Sequence, residues 1–314
     1  MSSEFYRRVT VIVLGDFGRS PRMQYHTLAL AESGANVDVI AYAGTAPIAA
    51  LRAHPRVRLH LMSAPLAWKK RDLPPVVVIA LATARLCKQM LQLLALLALR
   101  VRKPDFVLVQ NPPAVPTLLV ALIAARAYSA KLIVDWHNFG SSMLALHFRQ
   151  ENWLVRMALW YEKTLARRAN AHLCVSEAMR SELAESWGIP GAIVLYDRPA
   201  AHFAPTPPDV RQDLLCRIGG ELDFPYNHDH RPALIVYPTS WTADEDFSLL
   251  LEAAIKCDAM IDGHDREADQ PFTRLLIVIT GRGPLRRHYE KEIARLQLAK
   301  VHLRTVWLSQ RITP

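Results

Sequence analysis

Short apolar runs alternate with helical patterns through almost the whole of this 314-residue chain, and that alternation limits the fold more than any other feature. Residues 9–14, 36–42, 57–62, 105–110, 131–136, 172–175 and 192–196 read as strands. Between several of them, residues 23–31, 114–128, 152–168 and 177–187 read as helices. Continuous apolar strands separated by helices predict an α/β protein whose parallel sheet is covered on both faces. Residues 198–232 break the rhythm with Pro199, Pro205, Pro207, Pro208, Pro225 and Pro232, and read as a linker with one weak helical piece at 210–218. Alternation resumes with strands at 234–237, 275–280 and 301–306 and helices at 244–260 and 284–298. The expected organisation is therefore a Rossmann-like domain over 1–197, a linker over 198–232 and a partial second domain over 233–314. Three strands and two helices make only half of such a domain. They are expected to leave the apolar faces of residues 249–255 and 275–279 partly uncovered.

The net charge of +9 favours anionic partners. Among these, nucleic acid is excluded as an expectation, because no basic stripe is interleaved with aromatics and no zinc-ligand spacing occurs. Cys87, Cys174, Cys216 and Cys257 are scattered without a CxxC pair, so neither a metal centre nor a disulfide framework is expected. The N-terminus shows no apolar targeting segment before the first strand.

Residues 76–101 form the longest apolar stretch, with Arg85, Lys88, Gln89 and Gln92 at helical spacing. That polar stripe argues against a simple spanning helix. Two readings remain: a core helix, or a helix lying in a membrane interface with Lys69, Lys70, Arg71, Arg100, Arg102 and Lys103 at its ends.

Five segments could carry chemistry. After the first strand, Gly15, Asp16, Gly18, Arg19, Ser20, Pro21 and Arg22 lead into a helix with Ser20 as N-cap and Pro21 at its first position. Strand, glycine turn and helix start can face an anion, with Arg19 and Arg22 adding charge, or the glycines can simply serve the bend. Asp135, His137 and Asn138 end another strand, where open α/β sheets bind ligands. They offer a base, an orienting carboxylate and an amide, or alternatively a plain turn. Arg198 follows the last strand of the first half and either faces a crevice or anchors the linker. In the second half, Ser240 and Thr242 join strand to helix, with Thr242 and Glu245 in capping-box spacing. Gly281, Arg282 and Gly283 form a further strand-to-helix turn suited to a diphosphate.

Taken together, residues 14–26, 135–140, 195–199, 239–247 and 280–285 resemble, in that order, the chitobiosyldiphosphodolichol β-mannosyltransferase family over nearly the whole chain. The resemblance implies a GT-B architecture of two Rossmann-like domains with the active site between them, the C-terminal one incomplete here. It implies mannosyl transfer from GDP-mannose, the donor substrate, to chitobiose on a dolichol diphosphate. This is an early step of lipid-linked oligosaccharide assembly for N-glycosylation, at the cytosolic face of the endoplasmic reticulum membrane. No cofactor is implied, and partners would be the membrane surface and other mannosyltransferases of the same assembly. Forming a β linkage from an α donor inverts the anomeric carbon and needs one general base. Asp16 and His137 are the candidates, with Asp16 preferred because a carboxylate is ionised at neutral pH without tuning. Gly15, Gly18, Arg19, Arg22 and Asn138 would face the acceptor; Arg198, Ser240, Thr242, Gly281, Arg282 and Gly283 would face the donor.

Family members usually start with a membrane-spanning segment and continue past the point reached here, so a truncated copy with weakened donor binding is expected. An inactive scaffold is the rival reading from another class. A GT-B transferase acting on a soluble acceptor is a third.

Overall fold

A computed structural model describes residues 7–63, 74–146, 148, 151–199, 204–221, 233–242, 245–267 and 274–307. Lys69, Lys70, Arg71, Asp244, residues 222–232 and the last residues, 308–314, lie outside the described set. The chain divides into two compact units, Met1–Pro199 and Ala200–Pro314.

In the first unit, strands β1 (Arg8–Asp16), β2 (Asn36–Tyr42), β3 (Val57–Met62), β4 (Phe106–Asn111), β5 (Lys131–Trp136), β6 (Ala171–Cys174) and β7 (Ile193–Val194) form one parallel sheet. Their order is β3-β2-β1-β4-β5-β6-β7. β1 lies between β2 and β4, so connections leave it in opposite directions and open a crevice at the carboxyl ends of these strands.

The period of two along β1 sorts its side chains between two cores. Val9, Val11 and Val13 pack with Met23 and Ala31 of α1 (Pro21–Glu32) and Leu51 of α2 (Ala49–Ala53). Ile12 and Leu14 belong to the opposite core. There they join Leu93 and Leu97 of α3 (Pro75–Leu99), Leu118 and Leu122 of α4 (Thr117–Tyr128), Ala166 of α6 (Trp153–Ala166) and Leu183 of α7 (Glu177–Glu185). A short α5 (Gly140–Ala145) precedes α6.

α3 meets the core-helix reading at one end only. Leu93 and Leu97 are buried, whereas Val76 and Ile79 are 76% and 65% exposed. The expected polar stripe is only partly a solvent face. Gln89 donates to Tyr42 Oη (2.6 Å) and Gln92 to Ser63 Oγ (2.7 Å), tying the lower half to β2 and to the end of β3. Residues 76–99 are long and apolar enough to cross a membrane by length and composition. No residue from 76 to 92 is buried, and Leu93 is the first along the helix to reach the core.

The second unit has a parallel sheet in the order β10-β9-β8, from β8 (Ala233–Pro238), β9 (Leu275–Thr280) and β10 (Val301–Val306). Trp241, together with Phe247 and Ala254 of α9 (Phe247–Glu267), packs on one face of β9, and α10 (Arg286–Arg295) adds Tyr289 and Ile293. The segment read as a linker contributes α8 (Pro208–Glu221), whose Leu214 and Ile218 cover Leu276 and Val278 on the other face. The expectation that residues 275–279 stand partly uncovered is therefore corrected: all five are buried. Leu249 and Ile255 of α9 are exposed, as expected. The Asp258 carboxylate accepts from the backbone N–H groups of Ala299, Lys300 and Val301, fixing α9 to the start of β10.

Two stability predictions follow from the first unit. Leu93→Ala and Leu97→Ala should each cost about 2–5 kcal/mol, because both side chains are enclosed. Ile79→Ala should stay within about 0.5 kcal/mol. Denaturant melts of the three variants check the division of α3. The second prediction concerns His172, whose Nδ1 accepts from Trp136 Nε1 (3.1 Å) and whose pKa burial pushes down to about 4. The unfolded chain then takes up the proton first. Stability is fully present above about pH 6.5 and falls by about 3 kcal/mol as pH drops toward 4. His172→Gln should flatten that limb in melts recorded between those two pH values.

Candidate active site

The carboxyl end of β5 holds a buried polar cluster centred on Asp135, which has no solvent exposure. Arg22, on the second residue of α1, grips it bidentately: Nε to Oδ2 at 2.9 Å and Nη2 to Oδ1 at 2.8 Å. Arg22 Nη1 donates to the Leu195 carbonyl and to Asp197 Oδ1 (3.0 Å), just past β7. His26, one helical turn further along α1, places Nε2 3.2 Å from Asp135 Oδ2, and His137 Nε2 lies 3.0 Å from the same oxygen. Burial by itself would raise the Asp135 pKa. Hydrogen bonds from His137, His26 and Arg22 outweigh it and hold the carboxyl far below the usual range.

That ionised carboxylate fixes the His137 tautomer. Nε2 carries the proton it donates to Asp135, leaving Nδ1 as a lone-pair acceptor. The His137 side chain retains 23% exposure, and its backbone N–H is held by the Asn111 carbonyl (2.8 Å). A buried carboxylate that orients a partly exposed imidazole is an arrangement that can serve as a general base.

Arg22 corrects a sequence expectation. It was expected to face a diphosphate, but it is 8% exposed and each of its nitrogens is engaged within the chain. Asp16 also has internal work. Its carboxylate accepts from Gly18 N (3.0 Å), Thr45 N (2.9 Å) and Thr45 Oγ1 (2.8 Å). Slight burial raises its pKa, but the bonds from Thr45 and Gly18 bring the net value below that of a free aspartate. Asp16 is thus the N-cap of the 3-10 turn Phe17–Arg19 and the clasp for the loop after β2.

Gly18 is required for close approach: a Cβ there would sit 2.2 Å from the Thr45 carbonyl oxygen. Gly44, which sequence reasoning missed, lies where a Cβ would strike the Asp16 carboxylate at 2.5 Å. At Gly15 an added Cβ would make ordinary contact with Val13 Cγ1 at 4.0 Å, so that position could carry a side chain. Ser20 and Pro21 stand where expected at the start of α1, but the Ser20 hydroxyl bonds to Gln110 Oε1 rather than capping the helix. Arg19 is exposed. Asn138 is exposed too, with its amide turned onto Met143 Sδ and the Phe139 N–H.

Beneath the site, Glu162 of α6 is a second buried carboxylate without an obvious sequence signal. It accepts from Asn111 Nδ2 (2.7 Å), Gly140 N (2.8 Å) and Ser141 N (3.0 Å), closing the N-terminus of α5 directly after the His137 loop. The six-residue α5 was unanticipated, being too short to show periodicity.

In the second unit, the turns after β8 and β9 come together. A Cβ on Gly281 or on Gly283 would sit 1.7 Å from the carbonyl oxygen of Thr239 or of Ser240, respectively. Gly281 also has φ +130°, so glycine is demanded twice over. Ser240, Thr242, Gly281, Arg282 and Gly283 therefore share one edge of this sheet. Arg282 stacks on the Trp307 ring at 4.1 Å. The capping-box expectation fails, because α9 begins at Phe247 and not beside Thr242. Glu245 instead accepts from Ser240 N (3.1 Å) and from the Thr239 hydroxyl, and Asp246 accepts from Ser248 N (3.2 Å) at the helix start. Arg198 is exposed at the end of the first unit. Among the described residues, no cluster of His, Cys, Asp and Glu could hold a metal ion.

Comparison with known proteins agrees with this architecture. The description of a glycosyl transferase 4-like domain fits residues 18–196. The UDP-glycosyltransferase TURAN of Arabidopsis thaliana is 38% identical over 98% of this chain and 74% of its own length. The human chitobiosyldiphosphodolichol beta-mannosyltransferase is 34% identical over 98% of this chain and 69% of its own. A solved sucrose-phosphate synthase from Thermosynechococcus elongatus shares the fold, with TM-score 0.60 at 13% identity, over 97% of this chain and 70% of its own. With the first unit matched by the domain description and both units by these relatives, the chain belongs to the chitobiosyldiphosphodolichol β-mannosyltransferase family of GT-B glycosyltransferases.

Proposed function

We propose that this chain transfers mannose from GDP-mannose to the chitobiose of a dolichol-diphosphate acceptor, with inversion, at the cytosolic face of the endoplasmic reticulum membrane. The observation that carries the chemistry is the buried Asp135 carboxylate orienting His137 at the carboxyl end of β5. The same intact pair weighs against an inactive scaffold.

In this reading His137 Nδ1 takes the proton of the acceptor hydroxyl as its oxygen attacks the anomeric carbon. The bond to the diphosphate oxygen breaks on the opposite face, and GDP leaves with the electron pair. Asp135 stabilises the imidazolium that forms. Arg19, with Gly15, Gly18 and Asn138 at the same strand ends, is assigned to the acceptor side. Ser240 and Thr242, the Gly281–Gly283 backbone, Arg282 and Arg198 are assigned to the donor diphosphate. Arg22 and Asp16 hold the scaffold. For Asp16 this replaces the preference drawn from charge alone, since three donors already occupy its oxygens. Association with other mannosyltransferases of the same assembly remains part of the reading.

A UDP-linked donor is the second reading, favoured by the name of the Arabidopsis relative. Calorimetry with GDP-mannose and with a UDP-sugar separates the two, and tighter binding of the UDP-sugar would replace the donor assignment.

The catalytic assignment is checked by radiolabel transfer from GDP-mannose to lipid-linked chitobiose. His137→Ala should lower turnover by about 10²-fold or more while acceptor KM changes little. Asp16→Asn should chiefly lower thermal stability and leave the folded fraction active. A folded, inactive Asp16→Asn beside a near-native His137→Ala would return the base to Asp16. Arg22→Met should cost about 3–5 kcal/mol of stability by leaving Asp135 buried without its cation.

A further inference from the structure

The outward side of α6 is unexplained by the fold. Its inner side is fully committed: Val155, Glu162 and Ala166 are buried, and Tyr161 Oη accepts from Leu119 N. Yet Trp153, Met157 and Trp160 are 64%, 56% and 65% exposed. Their spacing of four and three residues places all three on one stripe, with about 10 Å of helix between the two indoles. A stripe that folding does not need and that exposes two tryptophans requires an occupant.

Charge identifies that occupant. α4 packs against both α3 and α6, so the three helices form one layer on the sheet. Of the chain's 29 acidic residues only Glu162 lies on these helices, and it is buried. Their cations are Arg85 and Lys88 on α3, Arg126 on α4, and Arg156 and Lys163 on α6. This layer therefore presents positive charge without an exposed carboxylate, beside exposed Val76, Ile79, Trp153 and Trp160. Helices that follow parallel strands run back along the sheet, so the N-terminal ends of α3 and α6 lie at its carboxyl edge, where His137 stands.

We infer that the outer face of this helical layer, with the Trp153–Met157–Trp160 stripe as its anchor, docks on an anionic lipid bilayer. Tryptophan rings suit the headgroup boundary, and helices whose exposed charged residues are all cationic suit anionic lipid. Docked this way, α6 lies along the membrane, the exposed turns of α3 dip into it, and the carboxyl edge of the sheet meets the surface. The inference deepens the proposed function by naming how a lipid-borne acceptor is met. It is tested without any substrate, so its failure is separate from a failure of mannosyl transfer.

The test is flotation of the full chain with vesicles of phosphatidylcholine, with and without phosphatidylserine, together with tryptophan quenching by brominated lipid. The native chain should float with the anionic vesicles, less at high salt, and its fluorescence should be quenched. The triple variant W153S/M157S/W160S should float about tenfold less or worse and lose the quenching. Arg156→Gln, which keeps the stripe, should weaken binding about fivefold. Unchanged melting curves confirm that both variants fold. Native-like flotation of the triple variant, or absence of quenching in the native chain, would overturn the inference. So would a dimer in sedimentation analysis that the triple variant abolishes, because a second copy would then be the occupant.

Discussion

The first unit depends on the ion pair between Arg22 and Asp135. The two residues are 113 positions apart, and Arg22 also reaches Leu195 and Asp197. One guanidinium thus fixes the entry of α1, the end of β5 and the chain after β7. Burying two charges is costly, and a pair of this kind often contributes little net stability against a hydrophobic replacement. Its effect is geometric. The cation keeps Asp135 ionised in a dry place, and only an ionised Asp135 holds His137 in the tautomer with a free Nδ1. Scaffold and proposed chemistry therefore share one charge, whose removal would unsettle both.

The sheet was legible because its strands are buried on both faces and written as apolar runs. The strands at 36–42, 57–62, 131–136, 275–280 and 301–306 stand at the expected residues. The Asp135–His137 relation was also legible, since neighbours two apart at a strand end point the same way. The role of Arg22 was not. A cation beside a glycine turn looks like an anion site, and nothing local shows that its anion lies 113 residues away on another strand. Glu162 was hidden for a similar reason. A glutamate inside an amphipathic helix reads as a solvent face, and its partners on Asn111, Gly140 and Ser141 are brought to it only by the tertiary fold.

The two ambiguous segments, α3 and α8, show the limit of pattern reading from the other side. In α3 the leucines at 93 and 97 and the valine at 76 are chemically alike, but the first two meet a core and the third does not. Periodicity tells which residues share a face. It does not tell how far along the helix that face remains covered. In α8 the surrounding prolines suggested a tether, but Leu214 and Ile218 cover Leu276 and Val278 on one face of the three-stranded sheet. A small sheet needs only a short helix, and two apolar side chains are too few to stand out in a polar segment.

The same device braces the strand ends in both units. Asp16 accepts from Gly18 and Thr45, and Glu245 accepts from Thr239 and Ser240. In each case a neighbouring glycine lets two backbones approach more closely than a Cβ would permit. The Asp16 and Glu245 carboxylates are thereby occupied by backbone and hydroxyl donors. Arg19 and Arg198 in the first unit and Ser240 and Arg282 in the second stay exposed at these edges, with Asp197 and Asp246 exposed beside them. Acidic residues at a strand end would ordinarily repel a diphosphate. Turned inward as clasps, Asp16 and Glu245 stiffen the loops and leave Arg19 and Arg282 as the outward charges of the two glycine turns, which is the arrangement the proposed diphosphate substrates require.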